Sequence, residues 1–350
     1  MNVNFSIHGL FNIKLSQAPR PVVDFIRSDL GYFERTDLPH GDLEIEFVPK
    51  IDLPARFVYL QHDLAYDQGV LYFLFKTGTV AFPIKEFAGG SLLVRAEKGI
   101  SGFEALRVIE KVLSLKLIES GYSMMHALGL KENGRVNIYV GLQGVGKTTL
   151  ALQKLRQGAG FAGEEFVLVD KDANVLCYPR GMNVHRFMGE EFHRLRANPA
   201  LKPKVDKELR YWRLLSVLNF VFGPVRILKT IVRNLLGGKR FIRANIGELF
   251  PGAEILDKGR IDGLFLLFKS NDGQVCFPAA DWPEERAVAF LLRNNNLERG
   301  HLVADQLASF LAYGDEPAAA FAKYLKGLQT SEEAIVRGIL RSVKGRYHGQ

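Results

Sequence analysis

Cysteine is scarce in this chain: Cys177 and Cys276 are the two present among 350 residues. Two thiols cannot form a disulfide framework or a four-cysteine zinc site, and their rarity suits a reducing compartment. Long apolar runs are lacking as well. No stretch reaches the roughly 18 apolar residues that a spanning helix needs, and the opening MNVNFSIHGLFNIKLSQAPR has no sustained apolar core of the secretory kind. These absences predict a soluble, cytoplasmic protein. Hydrophobic residues make up 47% and charged residues 24%, values that exclude disorder and fibrous repeats. At 350 residues the chain exceeds one ordinary core, so two domains, or one with a large insertion, are expected.

Acidic residues are nearly missing from one stretch. Between Arg194 and Arg243 there are 13 Lys and Arg against two acids, Asp206 and Glu208, a balance of +11. The whole chain carries +8, so everything outside that stretch sums to −3. The body is slightly acidic and the excess positive charge is local.

From about Leu43 to Arg95 the pattern is that of strands. Glu44 to Val48 alternates with period two, and RFVYL, GVLYFLF and SLLVR are short β-branched or aromatic runs. Turn signals at Asp67-Gln68-Gly69, Thr77-Gly78 and Gly89-Gly90 divide them. A small, mostly antiparallel β domain over 1–120 is expected. It should close with a helix from Ser101, a plausible N-cap with Glu104 three residues on. Phe103, Leu106, Ile109, Leu113 and Leu117 would form the apolar face of that helix. Then come MMHALGL, an Asn133-Gly134 hairpin turn and a strand from Arg135 to Val140.

One motif after that strand is highly specific. Gly141-Leu142-Gln143-Gly144-Val145-Gly146-Lys147-Thr148 fits G-x-x-x-x-G-K-[ST] in full, with a β-branched strand before it and the helical pattern TLALQKLRQ after it. Glycines let backbone N–H groups wrap phosphate oxygens without Cβ clashes, and the helix N-terminus adds partial positive charge. Lys147 supplies a full charge to the β/γ-phosphates, and the Thr148 hydroxyl can hold Mg²⁺. Gly141, Gln143, Gly144, Val145, Gly146, Lys147, Thr148 and Thr149 are the candidate nucleotide-binding residues.

Two acidic candidates follow. Phe166 to Val169 ends in Asp170 like a generic Walker B strand, and Glu164-Glu165 stands just before the same strand. Asp170-Lys171-Asp172-Ala173-Asn174 also reads as a hairpin turn. A calcium loop is excluded there, because Val175 and Gly181 stand where Gly and Glu are required. Spacing alone leaves the acidic pair and Asp170 open. Apart from His126, the histidines stand at no metal-ligand spacing.

The run from His126 to Arg186 resembles the HPr kinase/phosphorylase family and its wider set of HPr-kinase-like P-loop kinases, which share a phosphoenolpyruvate-carboxykinase-like core. His126 occupies the place of the family histidine ahead of the loop, 21 residues before Lys147. Glu164 and Glu165, 17 and 18 residues beyond that lysine, match the family's acidic pair. Tyr178-Pro179-Arg180 and the stretch from Ile246 to Phe268 also look like the kinase-like relatives. Glutamates replace the usual aspartates, and the E-I-R-G signature reads Phe241-Ile242-Arg243-Ala244. The resemblance implies an α/β P-loop kinase core over 121–281 that moves the γ-phosphate of ATP, with Mg²⁺, to a hydroxyl on a protein serine or a small molecule. It implies Glu164 as general base, Glu165 with Thr148 at the metal, and catalytic or phosphate-facing parts for Lys147, His126 and Arg243. Arg180 and Arg243 could clamp a phosphate or an acidic substrate. A nucleotide-binding regulatory protein, or an ATPase using Asp170, is the alternative, and kinases of this kind are commonly oligomers.

The basic stretch, about 194–240, reads as a helical insert. Leu209 to Phe222 is helical and rich in aromatics, Gly223-Pro224 breaks it, and Val225 to Leu236 sets Arg226, Lys229 and Arg233 on one face. It could be a hairpin packed on the core with a solvated basic face, a clamp for an anionic acceptor, or a helix on an anionic membrane surface through 209–240. Charge alone would admit nucleic acid, but no recognition motif supports it. Residues 282–350 are helical by pattern, with Ser331-Glu332-Glu333 as a fair N-terminal cap.

Overall fold

Alternation along the first strands fixes one face of a sheet. Val3, Phe5 and Ile7 are buried while Asn4 and Ser6 are half-exposed, the period of two that a pleated strand imposes. The structure, a computed structural model, describes the chain except residues 62, 88, 186–189, 200, 223–240, 271–272, 300–310, 312–313 and 348–350. Strands β1 (Val3–Ile7) and β2 (Phe11–Ser16) lead into α1 (Arg20–Leu30), β3 (Glu34–Arg35) and β4 (Leu43–Val48). A meander follows: β5 (Val58–Gln61), β6 (Leu64–Asp67), β7 (Val70–Phe75) and β8 (Gly78–Pro83), then β9 (Leu92–Glu97). Among the described residues these form a nine-stranded sheet, ordered β3-β1-β2-β4-β9-β8-β7-β6-β5. The region is β-rich as expected, but strands begin forty residues before Leu43. Its centre is parallel, since β4 runs parallel to both β2 and β9.

Helix α2 (Gly102–Glu119) has the expected start. The Ser101 hydroxyl accepts the Glu104 N–H at 3.3 Å, and the Glu104 carboxylate accepts the Ser101 N–H at 2.8 Å. Leu106, Ile109, Leu113 and Leu117 are buried, but Phe103 is 55% exposed and meets Phe25 edge-on instead of joining the core.

The second sheet contains β10 (Tyr122–Met125), β11 (Ala127–Glu132) and β12 (Arg135–Val140). Next come α3 (Lys147–Arg156), β13 (Gly160–Gly163), β14 (Val167–Asp170), β15 (Asn174–Leu176) and β16 (Met182–His185). Helices α4 (Glu190–Arg194) and α5 (Lys202–Phe222) lead to β17 (Phe241–Ala244), α6 (Ile246–Leu249), β18 (Lys258–Ser270) and β19 (Gly273–Pro278). The order is β10-β14-β15-β18-β12-β11-β13, with β19 on β18, while β16 and β17 pair apart. The protein is thus mixed α/β, with two large mixed sheets and several helices. The Asn133-Gly134 turn forms as expected: both residues have positive φ, 50° and 79°, and Glu132 pairs with Arg135 across it.

Helices α7 (Glu284–Arg299) and α8 (Glu316–Tyr347) complete the described chain. Ser331 is no cap. Helix α8 runs through it without a break, and its hydroxyl bonds back to the Gly327 carbonyl at 3.1 Å. No proline or glycine–proline pair interrupts that stretch, so the helix simply continues. Helix α5 begins seven residues before the expected Leu209 and turns Lys204, Lys207, Arg210 and Arg213 to solvent beside exposed Leu214 and Val217. The helix expected over 225–236 lies outside the described residues. Among the described residues no helix is long and apolar enough to cross a membrane.

One buried cluster runs from Val3 to Val343 and draws on both large sheets and on α1, α2, α7 and α8. A second lies under α3 and includes Leu128, Leu152, Phe161 and Ile242. Replacing Ser101 by Ala should cost about 1 kcal/mol in urea unfolding through loss of the cap. Phe103→Ala, at an exposed site, should stay within about 0.5 kcal/mol of wild type.

Candidate functional site

Strand β12 delivers the chain into the glycine-rich loop. Gly144 and Gly146 have φ of 85° and 98°, the left-handed region that glycine enters without Cβ strain. A Cβ on Gly146 would also stand 2.5 Å from Nε2 of Gln274. That glutamine, on β19, donates to the Val145 carbonyl at 2.6 Å and braces the loop from outside. No side chain caps α3, which leaves its first amides available to an anion. Lys147 is buried and donates to the Gly141 carbonyl. Gln143, Gly144 and Thr149 are exposed on the outer lip, with Val145, Gly146 and Thr148 half-buried behind them.

Strand register explains where the acidic pair comes to stand. Strands β10 and β11 meet at His126. Ala127 pairs with Val140, the last residue before the loop, and Met125 pairs with Val167. On its other edge β11 carries β13, with Gly163 opposite Gly129. Glu164 and Glu165 lie between β13 and β14, level with His126 and the mouth of the loop. Gly163 is required there, because a Cβ would sit 2.1 Å from the Phe166 carbonyl oxygen. The Thr148 hydroxyl donates to Glu164, whereas Glu165 lies 2.9 Å from Arg180. Thr148 therefore meets Glu164 and not Glu165, the partner expected at the metal. Burial lifts the Glu164 carboxyl above the ordinary carboxylate range, and Glu165 adds to the lift; the Thr148 bond, Lys147 and Arg180 oppose it.

Asp170 is three residues farther along β14, opposite Tyr122, and so about 10 Å beyond Val167 at the strand rise. Its oxygens accept the N–H groups of Asp172 and Asn174, both at 2.9 Å, and the Asn174 amide at 2.7 Å. This is the turn reading of Asp170, an Asx-type cap on the β14–β15 hairpin.

Arg180 and Arg243 converge on one carboxylate, Asp29 of α1. The distances are 3.6 Å from Arg180 and 2.6 Å from Arg243, which also donates to Asn183 at 3.0 Å. Arg180 further meets Glu110 of α2 at 2.8 Å. Asp29 is 2% exposed and Arg180 6%, so these charges must neutralise one another. Burial alone would weaken the hold of Arg180 on its proton, but Glu110, Glu165 and Asp29 strengthen it above that of an ordinary guanidinium. Burial pushes the Glu110 carboxyl up to about 7, against the pull of Arg180. Nε of Arg180 and Nη2 of Arg243 are buried and have no hydrogen-bond acceptor among the described residues.

His126 belongs to the core side of the site. Its N–H donates to the Asn295 side chain at 3.0 Å, its carbonyl accepts from Asn294 at 2.7 Å, and its ring stands 3.4 Å from the Asn294 oxygen. Both asparagines are on α7, and Asn295 also reaches Glu332 of α8 at 3.1 Å. The C-terminal helices thus support the site, although their sequence shows no chemistry. Burial, then the charge of Lys147, pull the His126 imidazolium down to about 3. The ring is neutral at ordinary pH.

Asp29, Glu110, Gln274 and the two asparagines were not foreseen. Asp29 left a faint signal: it shares a buried helical stripe with Val22, Val23 and Ile26, where an acid needs a partner. The others sit in segments whose local patterns are ordinary. No protein-family model matches this chain, and no curated protein matches it either.

The histidine generates a pH dependence of stability. Its folded value of about 3 lies below its ordinary 6.5, so the unfolded chain takes up the proton first as pH falls. Stability from this group is intact above pH 6.5 and drops by up to about 1.4 kcal/mol per unit below it. Urea melts of wild type and His126→Gln at pH 7.5 and 5.5 should show the smaller loss in the variant.

Proposed function

We propose that the chain is a P-loop phosphotransferase of the HPr-kinase-like kind, moving the γ-phosphate of ATP to a hydroxyl. The observation that carries this reading is the contact between the loop threonine and a buried carboxylate that follows the loop helix, Thr148 to Glu164. Phosphoryl transfer asks a protein mainly for positioning and charge neutralisation. The loop amides and Lys147 would hold the phosphate chain. The hard oxygen of the Thr148 hydroxyl would serve Mg²⁺, which neutralises phosphate charge when bound.

Glu164 is the general base of this reading. Its proton affinity, raised by burial, suits an acceptor of the hydroxyl proton. The part in metal binding expected of Glu165 is not supported by its contacts; its partnership with Arg180 gives it the task of holding that arginine beside the loop. The seat of Asp170 in a hairpin turn argues against an ATPase that uses it as Walker B.

The test is transfer from γ-labelled ATP with Mg²⁺ to pools of metabolites and proteins. Glu164→Gln should lose about 10²- to 10⁴-fold in transfer while calorimetry shows nucleotide binding within a few-fold of wild type. Lys147→Ala should lose nucleotide binding itself, and Asp170→Asn should still transfer. An active Glu164→Gln would overturn the base, and ATP hydrolysis abolished in a folded Asp170→Asn but kept in Glu164→Gln would favour the ATPase.

A further inference from the structure

Three ligand-type side chains from distant parts of the sequence meet at the seam between the two large sheets. His8 occupies the β1–β2 turn, Cys177 follows β15, and Asp257 precedes β18. One ligand atom from each lies within 4.8 Å of the other two. The Cys177 Sγ is 3.8 Å from Nε2 of His8, and Nδ1 of His8 is 3.7 Å from Oδ1 of Asp257. The backbone fixes the set. The Cys177 N–H donates to the Asp257 carbonyl at 3.0 Å, and Nε2 of His8 donates to the Cys177 carbonyl at 2.8 Å, a bond that an ion held through that nitrogen would replace. Tyr32 donates at 3.0 Å to Oδ1 of Asp257, the oxygen that faces His8.

From these contacts we propose that His8, Cys177 and Asp257 form a binding site for a divalent transition ion of the zinc type. Zinc–ligand bonds of roughly 2.0–2.3 Å in a tetrahedron put ligand atoms about 3.3–3.8 Å apart, and one ligand atom from each of the three residues lies within 4.8 Å of the other two. The imidazole must turn for one nitrogen to face both partners, since Sγ now approaches Nε2 and Oδ1 approaches Nδ1. The donor set of one sulfur, one imidazole nitrogen and one carboxylate oxygen selects zinc-like ions over Mg²⁺ or Ca²⁺, which want oxygen alone. A thiolate and a carboxylate also balance the charge of the ion, which allows it to sit against the buried Cys177. The exposed Asp257 leaves an entry path, and water would complete the shell as in sites with three protein ligands.

The site is separate from the glycine loop but bears on the arginine cluster. Cys177 lies three residues before Arg180, so an ion here would tie the β1–β2 turn to the segment that carries that arginine. Sequence spacing hid the site, because positions 8, 177 and 257 share no local motif and each belongs to a different part of the fold.

The experiment uses tag-free, full-length protein stripped with a chelator and titrated with Zn²⁺ and with Co²⁺. We expect one Zn²⁺ per chain, a rise in melting temperature, no competition from Mg²⁺, and a cobalt–thiolate band in the near ultraviolet that Zn²⁺ abolishes. Cys177→Ser should lose the band, and Cys276→Ser should keep it. Asp257→Asn changes an exposed side chain and should fold normally by circular dichroism while weakening Zn²⁺ at least ten-fold, as should His8→Gln. Absence of saturable one-to-one binding would overturn the site. So would a band that follows Cys276, or wild-type affinity in a folded Asp257→Asn.

Discussion

Arg180 cannot be buried by itself, and much of the site's arrangement follows from that. A guanidinium taken out of water loses several kcal/mol of hydration unless opposite charges surround it. Here they come from three places: Asp29 on α1, Glu110 on α2 and Glu165 on the turn after β13. Each acid is an anchor point. Together they fix the turn that bears Glu164 against the two helices of the N-terminal region, and Arg243 joins from β17 by sharing Asp29.

The charge count of the cluster matters for how it behaves. Two arginines face Asp29, Glu110 and Glu165, one negative charge too many if all are ionised. Burial already pushes Glu110 up to about 7, so a single proton on that residue brings the cluster to balance. Glu164 stands at the edge of the same field, lifted by burial and by its neighbour, yet tied to Thr148. The two adjacent glutamates therefore hold different positions. One looks toward the loop, the other toward the arginine.

What could be read from sequence divides along the range of the interactions. The glycine loop, the strand before it, the Asn133-Gly134 turn and the Ser101 cap all follow from residues within a few positions of one another, and each forms as the local chemistry requires. The acidic pair was visible by spacing, but which carboxylate meets Thr148 depends on the register of β13 and β14 against β11, and no local pattern reports a register between separate strands. Phe103 fitted the helical period and still faces solvent, with an edge-on contact to Phe25 in place of core packing. Ser331 fitted a cap and lies inside a helix, since nothing breaks the chain ahead of it. Asp29 and Glu110 belong to helices whose role lies across the fold from them.

The division of the chain at residue 120 separates the two large sheets but not the groups that hold the site together. A segment limited to 121–281 would retain the glycine loop, Lys147, Thr148 and both glutamates, but Arg180 would keep only Glu165 among its three acids. Its burial would then be undercompensated, and the arginine would turn toward water or draw Glu165 with it. Asn294, Asn295 and Glu332 make the same point from the other end, since they hold His126 and its strand at the level of the loop mouth. The loop residues and the acidic pair are local in sequence, whereas the groups that hold them in place come from both ends of the chain. The continuous core from Val3 to Val343 is what makes that distribution workable, because it fixes α1, α2, α7 and α8 on one frame.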